Sequence, residues 1–357
     1  MKNHTRSKIR NTFGTIILFL TVTVIAAVVL ESFARIVVGT PLKEKLPLSR
    51  VKPDPDIGWV MVPSDIHYTY ENLVKINKLG FRDSEISAKH PQEYRILAVG
   101  DSHIYGQGID EKELMTTFME QELNKTSSSC QFNIINMGVR AYSTNNELAM
   151  LKKIGLSLDP DHIIVFFYIN DIVPVDIASR YRRFADMDWY TFDFSGKPTD
   201  KVIAKWEKIE LIRNSAFLMW AYDIYNSLAN KSNYINKLLL GEIDDGLRIN
   251  IENTINTLDE IRLVSEERGV RLTLAIIPVS AQVTKIFPRQ IYQSTLKKYA
   301  ENSELDFVDL LPDLRSHYIQ FQDSLVLPFD GHYNSQGHSV MAHTIYEHLS
   351  ALDLCKK

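Results

Sequence analysis

The hydrophobic and polar residues of this chain follow three successive patterns. A long apolar run lies near the amino terminus, a stretch rich in proline and charge follows it, and from residue 94 short apolar runs alternate with amphipathic segments. The short runs are rich in β-branched residues and predict buried strands at 95–99, 132–136, 162–168, 271–277 and 307–310. Helical periodicity lies between and after them, at 113–123, 145–154, 251–267 and 337–352. Strands that alternate with helices predict an α/β fold with a parallel sheet covered on both faces.

Residues 176–250 interrupt this alternation and predict a mainly helical insertion. The insertion is rich in aromatic residues, namely Trp189, Tyr190, Phe192, Trp206, Trp220, Tyr222 and Tyr225. Trp189, Tyr190 and Phe192 would suit a wall that stacks on sugars or holds an acyl chain. Packing of the insertion against the main domain accounts for them equally well, so we do not count them among the candidate site residues.

The amino-terminal apolar run predicts a membrane-spanning helix. Lys2, Arg6, Lys8 and Arg10 precede it without an acidic residue, and residues 13–30 carry no charge. As a helix, this run spans roughly 27 Å, close to the bilayer's hydrocarbon thickness of about 30 Å. The basic flank is expected to stay in the cytoplasm, which places the rest of the chain in the periplasm or outside the cell. A cleaved signal peptide is the alternative, although no small-residue cleavage site follows the run.

These patterns predict four successive regions. Residues 1–12 form a basic cytoplasmic tail, and residues 13–37 form the transmembrane anchor. Residues 38–93, here called the lead-in segment, begin with a proline- and charge-rich linker that leaves the membrane. Residues 94–357 form the main α/β domain, which contains the insertion at about 176–250.

Composition narrows the classes of function. The 357 residues are 45% hydrophobic and 24% charged, which suits a packed core. The formal net charge of -4 gives no reason to expect a nucleic-acid partner. Cys130 and Cys355 are the only cysteines and match no metal-ligand spacing; whether they form a disulfide stays open. The sequence therefore predicts neither a metal nor a cofactor.

Candidate chemistry lies just after the predicted strands, because open parallel sheets bind ligands beyond the carboxyl ends of their strands. The first strand runs into Gly100, Asp101 and Ser102, a sharp turn that predicts an exposed serine hydroxyl. The second strand ends at Gly138, whose backbone N–H is expected to face the cleft. The third is followed by Asn170, whose side-chain amide suits a developing oxyanion. Ordinary turns and helix caps are the alternative for each block taken alone.

A carboxylate and two histidines lie near the carboxyl terminus, in DGHYNSQGH. Asp330 and His332 are two residues apart, so an extended loop places both side chains on one side. His332 would accept the proton of Ser102, and Asp330 would hold the imidazole in the required tautomer. The spacing of His332 and His338 matches no metal motif.

Together these blocks resemble the SGNH (GDSL-type) hydrolase superfamily. The matching residues are Ser102 in GDSHIYG, Gly138 in NMGVRAY, Asn170 in YINDI and His332 in DGHYNSQGH. The stretch from DPDIGWVMVP to INKLGFRDSE, at 54–85, resembles the lead-in of membrane-anchored bacterial members. One departure concerns Asp330 and His332: many members place two residues between the aspartate and the histidine, whereas only Gly331 lies between them here.

The resemblance implies a three-layer flavodoxin-like SGNH hydrolase fold with a central parallel sheet, preceded by one N-terminal transmembrane helix. It implies that Ser102 is the nucleophile, His332 the base and Asp330 the orienting acid. It also implies an oxyanion hole formed by Ser102, Gly138 and Asn170. The α/β-hydrolase family is disfavoured, because its Gly-x-Ser-x-Gly turn would require glycine where this chain has Ile104.

The implied activity is that of an extracytoplasmic serine esterase that removes an O-acyl group, O-acetyl above all, from a cell-surface glycan. Its partners would be the ester substrate and the membrane, and no cofactor or metal is implied. An O-acyltransferase in polysaccharide modification would use the same acyl-enzyme, and a lipase or thioesterase is a third enzymatic reading. A non-catalytic glycan-binding protein would retain the fold alone. Hydrolysis and transfer differ in how well the site excludes water, which the sequence leaves open.

Overall fold

The computed structural model describes residues 2–127, 129–172, 212–229, 234–287, 290–352 and 354–355. The chain begins with a long helix, α1 (Lys2–Val37). Two antiparallel hairpins follow, formed by β1 (Val51–Asp54) with β2 (Gly58–Met61) and by β3 (Ile66–Thr69) with β4 (Asn72–Lys75). Within the described residues, α1 is the one helix long and apolar enough to cross a membrane: its segment Thr12–Val37 has a mean hydropathy of 2.7 and is not buried.

The main domain is organised around a parallel sheet. Among the described residues the sheet has five strands: β5 (Glu93–Gly100), β6 (Gln131–Gly138), β7 (His162–Phe167), β8 (Arg271–Ile276) and β9 (Asp306–Asp309). Their order across the sheet is β6-β5-β7-β8-β9. Counted along the chain within this sheet, that is the 2-1-3-4-5 order of flavodoxin-like folds. The predicted fold class is therefore confirmed.

Helices cover both faces of the sheet. In chain order they are α2 (Ser102–Tyr105), α3 (Met115–Thr126), α4 (Thr144–Lys153), α5 (Ala216–Ala229), α6 (Tyr234–Leu240), α7 (Asp245–Glu267), α8 (Ser280–Thr284), α9 (Ile291–Asn302), α10 (Leu311–Phe321) and α11 (Ser335–Ser350). Local capping fixes several starts: the Asp244 side chain accepts from Leu247 N at the start of α7, and Asn334 accepts from Gly337 N at the start of α11.

The period of two along each strand divides the core into two layers. In β5, Leu97 and Val99 face α4, α7 and α9, while Ile96 and Ala98 face α3, α10 and α11. All eight residues of β5 are buried. A central strand that is apolar on both sides explains why this run shows no alternation of polar and apolar residues in the sequence.

The lead-in segment packs directly onto the main domain. Trp59 lies against Tyr142 with ring centroids 5.3 Å apart, and the Tyr142 hydroxyl donates to the Trp59 carbonyl at 2.5 Å. The Asn146 side chain donates to the carbonyl of Ile57 at 2.6 Å. These contacts cross the predicted boundary at residues 93 and 94. The boundary itself stays a prediction, although the hairpins share the core with the sheet.

The predicted insertion is helical where the structure describes it. Helices α5 and α6 and the start of α7 lie within residues 212–250. Residues 176–211, with Trp189, Tyr190, Phe192 and Trp206, lie outside the described residues.

A disulfide joins the two cysteines, a pairing that the sequence left open. Cys130 precedes β6 and Cys355 follows α11, with their Cα atoms 5.8 Å apart. The bond ties the carboxyl terminus to an edge strand of the sheet.

Candidate active site

The candidate nucleophile stands where β5 meets α2. The strand ends at Gly100 and the helix begins at Ser102, with Asp101 as its cap: the Asp101 carboxylate accepts from His103 N at 2.8 Å. Gly100 has no room for a side chain, since a Cβ there would lie 2.5 Å from Ile104 Cγ1. This sharp turn puts the Ser102 side chain on a surface cavity at the carboxyl edge of the sheet.

The structure brings together the serine and the histidine that the sequence separates by 230 residues. Ser102 Oγ lies 2.7 Å from His332 Nε2. The other ring nitrogen of His332, Nδ1, is hydrogen-bonded to Asp330 Oδ1, and His332 N donates to the same oxygen at 3.1 Å. Gly331 has a φ of 89°, a conformation that favours glycine. Because of this turn, Asp330 reaches Nδ1 of the His332 ring although only Gly331 lies between the two residues.

Both oxygens of the Asp330 carboxylate have donors. Oδ1 is bound to His332, and Oδ2 accepts from the Tyr70 hydroxyl, which comes from the turn between β3 and β4. Burial by itself would raise the pKa of Asp330, but the hydrogen bonds from His332 and Tyr70 outweigh it and hold the pKa at about 2. The carboxylate is therefore ionised throughout the neutral range.

Gly138 lies at the carboxyl edge of the sheet but does not line the cavity. It is buried, and its N–H donates to the side-chain oxygen of Asn136 at 3.0 Å. A Cβ at Gly138 would lie 2.1 Å from Tyr105 N, so the glycine permits close packing of α2 on β6. The role of Gly138 as an oxyanion donor stays a prediction, and these contacts do not favour it.

Ala141, three residues further on, lines the cavity instead. Its backbone has a φ of 62°, an uncommon conformation for a residue with a side chain. Within the described part of the chain, neither Ala141 N–H nor Ser102 N–H has a hydrogen-bond acceptor. Sequence reasoning missed Ala141, because nothing in its residue type signals the left-handed backbone.

Asn170 lies in the cavity wall, and its role as an oxyanion donor stays a prediction. Its Nδ2 donates to Asp101 Oδ2 at 2.8 Å, which fixes the amide and leaves its second N–H for another acceptor. The neighbouring Asp171 holds the loop, because its carboxylate accepts from Tyr168 N at 2.9 Å. Burial raises the pKa of Asp171 well above its usual range, and the charge of Asp101 adds to this effect.

The cavity measures about 580 Å³ and has walls from both the lead-in segment and the main domain. The lead-in segment contributes Glu44, Ser49, Val51, Trp59, Met61 and Tyr70. The main domain contributes Ser102, Gln107, Val139, Arg140, Ala141, Asn170, Asp330 and His332. Burial raises the pKa of Glu44, an effect that the nearby guanidinium groups of Arg140 and Arg213 oppose. Glu44 and Arg140 therefore place charged side chains in the wall of the cavity that contains Ser102.

The lead-in segment also supports the loop that carries Ser102. Arg82 is buried and donates to the carbonyls of Tyr105, Gly106 and Ile109 at distances between 2.6 and 2.9 Å. His67 Nε2 lies 2.8 Å from the Tyr105 hydroxyl. The sequence carried no signal for these contacts, because they join residues more than twenty positions apart.

Three further residues of the motifs are structural. Tyr105 is fully buried, and His103 is buried and lies against His332 in a tilted arrangement with ring centroids 4.7 Å apart. Burial lowers the pKa of His103 to about 4, so this ring is neutral beside the catalytic candidate. His338 is buried and accepts from Met115 N through Nδ1 at 3.0 Å, as a structural histidine would. Among the described residues, no group of three or more His, Cys, Asp and Glu side chains is placed to hold a metal ion.

Comparison with solved structures finds esterases that resemble this chain in fold. An acetyl xylan esterase matches at 12% identity and a TM-score of 0.44, covering 71% of this chain and 99% of its own. A two-domain esterase active on acetylated mannans matches at 13% identity and a TM-score of 0.43, covering 72% of this chain and 49% of its own. A member of the lipolytic protein G-D-S-L family from Veillonella parvula matches at 13% identity and a TM-score of 0.41, covering 72% of this chain and all of its own.

No protein-family profile and no curated protein matches the sequence.

Proposed function

We propose that this chain is a serine esterase of the SGNH type. The observation that carries the proposal is the hydrogen-bonded series from Ser102 Oγ through the His332 ring to Asp330, at the edge of an open cavity. A serine hydroxyl is a weak nucleophile at neutral pH, and a base within hydrogen-bond distance activates it. A base whose far nitrogen is held by an ionised carboxylate is the arrangement that such catalysis requires.

The reaction follows from these contacts. Ser102 Oγ attacks the ester carbonyl carbon while His332 Nε2 takes the hydroxyl proton, and Asp330 stabilises the imidazolium. The tetrahedral intermediate collapses, the bond to the alcohol oxygen breaks, and His332 gives its proton to the departing alkoxide. Water then attacks the acyl-serine with His332 again as the base, which releases the acid and restores Ser102.

The oxyanion would be met by three donors: the backbone N–H groups of Ser102 and Ala141, and the second N–H of the Asn170 side chain. Two observations support Ala141 in place of Gly138: Ala141 lines the cavity, and the Gly138 N–H is already bound to Asn136. Each such donor is typically worth about 10²–10³ in rate.

Helix α1 would anchor the enzyme in a membrane. Its apolar segment Thr12–Val37 is exposed to the surroundings of the protein, which is unfavourable in water and disfavours the alternative of a core helix. The basic residues before it would stay in the cytoplasm. The disulfide between Cys130 and Cys355 supports an oxidising compartment for the main domain.

The proposed substrate is an O-acyl, above all O-acetyl, group on a cell-surface glycan. Two of the similar structures are named for acetylated xylan and mannan, which makes acetylated oligosaccharides the first substrates to assay. Acetate release in water would indicate hydrolysis. Appearance of an acetylated acceptor sugar in place of free acetate would indicate acyl transfer.

The full chain in detergent micelles, with p-nitrophenyl acetate as substrate, tests the nucleophile. Ser102→Ala is expected to lower turnover at least about 10³-fold, because the attacking atom is removed. Ser157→Ala is the matched control, since Ser157 is exposed and only donates to the Ile154 carbonyl. Equal rates for wild type and Ser102→Ala would remove the nucleophile and favour a binding protein.

A further inference from the structure

Helix α5 is rich in large apolar residues, and its residues 221–225 are exposed. Its sequence is AFLMWAYDIYNSLA, in which Asp223 is the only charged residue. Tyr222, Ile224 and Tyr225 are 52%, 47% and 66% exposed. Large apolar side chains are expected in a protein core or in contact with another apolar surface such as lipid. Because these three side chains are exposed, contact with lipid is the better explanation.

The carboxyl-terminal end of α1 holds α5 in place. The Glu31 carboxylate accepts from Ser215 Oγ at 2.6 Å, from Ala216 N at 3.0 Å and from Phe217 N at 3.1 Å, so it caps α5. Two further contacts join the helices: Arg35 Nη2 donates to the Asn214 carbonyl at 3.0 Å, and the rings of Phe33 and Trp220 lie 6.3 Å apart. All of these contacts lie within residues 31–35 of α1.

The position of these contacts sets the depth of α5. The uncharged run of α1 ends at Leu30, and its roughly 27 Å fills most of the hydrocarbon layer of a bilayer. Glu31 and the amino end of α5 therefore lie at the boundary where hydrocarbon gives way to lipid head groups. Tryptophan and tyrosine favour this boundary, and Trp220, Tyr222 and Tyr225 supply both residue types.

We propose that α5 is an interfacial helix that rests in the extracytoplasmic leaflet beside α1, with its apolar side chains in the region between head groups and acyl chains. This inference rests on the proposed membrane anchor. Fourteen residues, the length of α5, are too few to span a bilayer but suit an interfacial segment.

With α5 in this interfacial position, the catalytic cavity would lie close to the membrane surface. Arg213, which precedes α5, has its guanidinium 3.9 Å from the carboxylate of Glu44, and Glu44 lines the cavity. Only six residues separate Val37, the last residue of α1, from Glu44. The substrate class that fits is an acyl ester presented at the bilayer surface, as on a membrane-attached glycan.

Single cysteines labelled with an environment-sensitive fluorophore test the proposal in the full chain. The native cysteines are joined in a disulfide and leave no competing thiol. Tyr225→Cys reports on α5, Val24→Cys on the anchor, and Ile319→Cys on α10, where Ile319 is 66% exposed. Each labelled protein is placed in phosphatidylcholine vesicles with nitroxide lipids and retained only if its turnover of p-nitrophenyl acetate is intact.

Nitroxide lipid is expected to quench the labels at 225 and 24 by about twofold or more and to leave the label at 319 unchanged. Aqueous iodide should give the reverse order. Quenching of 24 but not of 225 would overturn the interfacial helix while leaving the anchor intact. A label at 24 that iodide reaches as readily as the label at 319 would overturn the anchor, and the interfacial helix with it.

Discussion

At the scale of single residues, the candidate site depends on one carboxylate and its donors. Asp330 is held from one side by His332 and from the other by Tyr70, which lies 260 residues earlier in the chain. A carboxylate fixed at both oxygens cannot rotate away from the imidazole, so Tyr70 acts as a positioning residue for the base. The serine, histidine and aspartate are evident in the sequence as motifs, whereas Tyr70 lies in a segment with no motif of its own.

Tyr70→Phe removes the donor to Asp330 and keeps the ring. A hydrogen bond to a charged group contributes about 1.5–3 kcal/mol, so kcat is expected to fall about tenfold or more with little change in KM. Tyr68→Phe is the control, since Tyr68 lies in the same hairpin and packs under Lys45. An unchanged kcat in Tyr70→Phe, or a loss that appears equally in KM, would contradict a positioning role.

Asn170→Ala tests the proposed oxyanion hole. The expected result is a fall in kcat of about 10²–10³ with KM nearly constant, because the donor acts on charge that develops only in the transition state. Asn253→Ala is the control, because Asn253 is exposed on α7 and does not line the cavity. If Asn170→Ala keeps wild-type kcat, the amide is a loop anchor for Asp101 and not an oxyanion donor.

At the scale of elements, the site is built where hairpins, a strand end and a short helix meet. The short helix α2 has only four residues, too few to be stable by itself. It is fixed by Asp101 at its amino end and by Arg82 at its carboxyl end, where Gly106 has a φ of 80°. Elements of the lead-in segment therefore hold the nucleophile loop in place.

Arg82→Met tests this support. The variant removes the donor to three buried carbonyls, of which only that of Gly106 keeps another, from Ile109 N. The free energy of unfolding is therefore expected to fall by about 2–4 kcal/mol. Arg268→Met is the control, because Arg268 is exposed at the end of α7. Denaturant unfolding measures both variants. A loss in Arg82→Met no larger than that in Arg268→Met would show that the nucleophile loop holds its conformation without the lead-in segment.

At the scale of the whole molecule, the two termini are tied into the fold. The lead-in segment forms part of the cavity, and the disulfide between Cys130 and Cys355 closes a loop of 225 residues. Removing a disulfide relaxes the unfolded chain, so the double variant Cys130→Ser, Cys355→Ser is expected to lose about 2–4 kcal/mol of stability. Thermal unfolding with and without reductant measures this. A transition in wild type that reductant leaves unmoved would speak against the bond.

Buried histidines make stability depend on pH. Burial lowers the pKa of His103 to about 4 and of His162 and His338 to about 3, whereas a histidine in the unfolded chain has a pKa of about 6.5. Between these values the unfolded chain binds protons at these histidines that the folded chain does not, so each histidine lowers the stability as the pH falls from about 6.5. Asp171, whose pKa burial raises, acts in the opposite direction.

Denaturant unfolding at about pH 7.5 and about pH 5.5 should show a loss of about 1 kcal/mol for each buried histidine. His162 is the one to replace, because it lies at the start of β7, far from the serine, and is hydrogen-bonded to Thr273. His162→Gln is expected to reduce the difference in unfolding free energy between the two pH values by about 1 kcal/mol, the contribution of one histidine. The same pH dependence in His162→Gln as in wild type would exclude this group as a cause.

The sequence by itself determined the α/β class, the exposed apolar helix and the order of the four blocks. These depend on short-range signals: hydrophobic periodicity, and residue types that stand directly after strands. The strand ends share one edge of a parallel sheet whatever the details, so the approach of Ser102 and Asn170 followed from topology. His332 lies beyond β9 and α10 in the chain, so its approach to Ser102 did not.

Only the tertiary structure decided that Ala141 and not Gly138 lines the cavity, that Tyr70 holds Asp330, and that the lead-in segment forms part of the cavity wall. Gly138 and Ala141 are only three residues apart. The direction of each backbone N–H after a strand depends on the local φ and ψ angles, which the residue type does not specify. Contacts between residues 70 and 330, or between 82 and 106, arise from packing of whole elements. No local sequence pattern predicts these contacts, because each depends on how two segments distant in the chain pack against the same sheet.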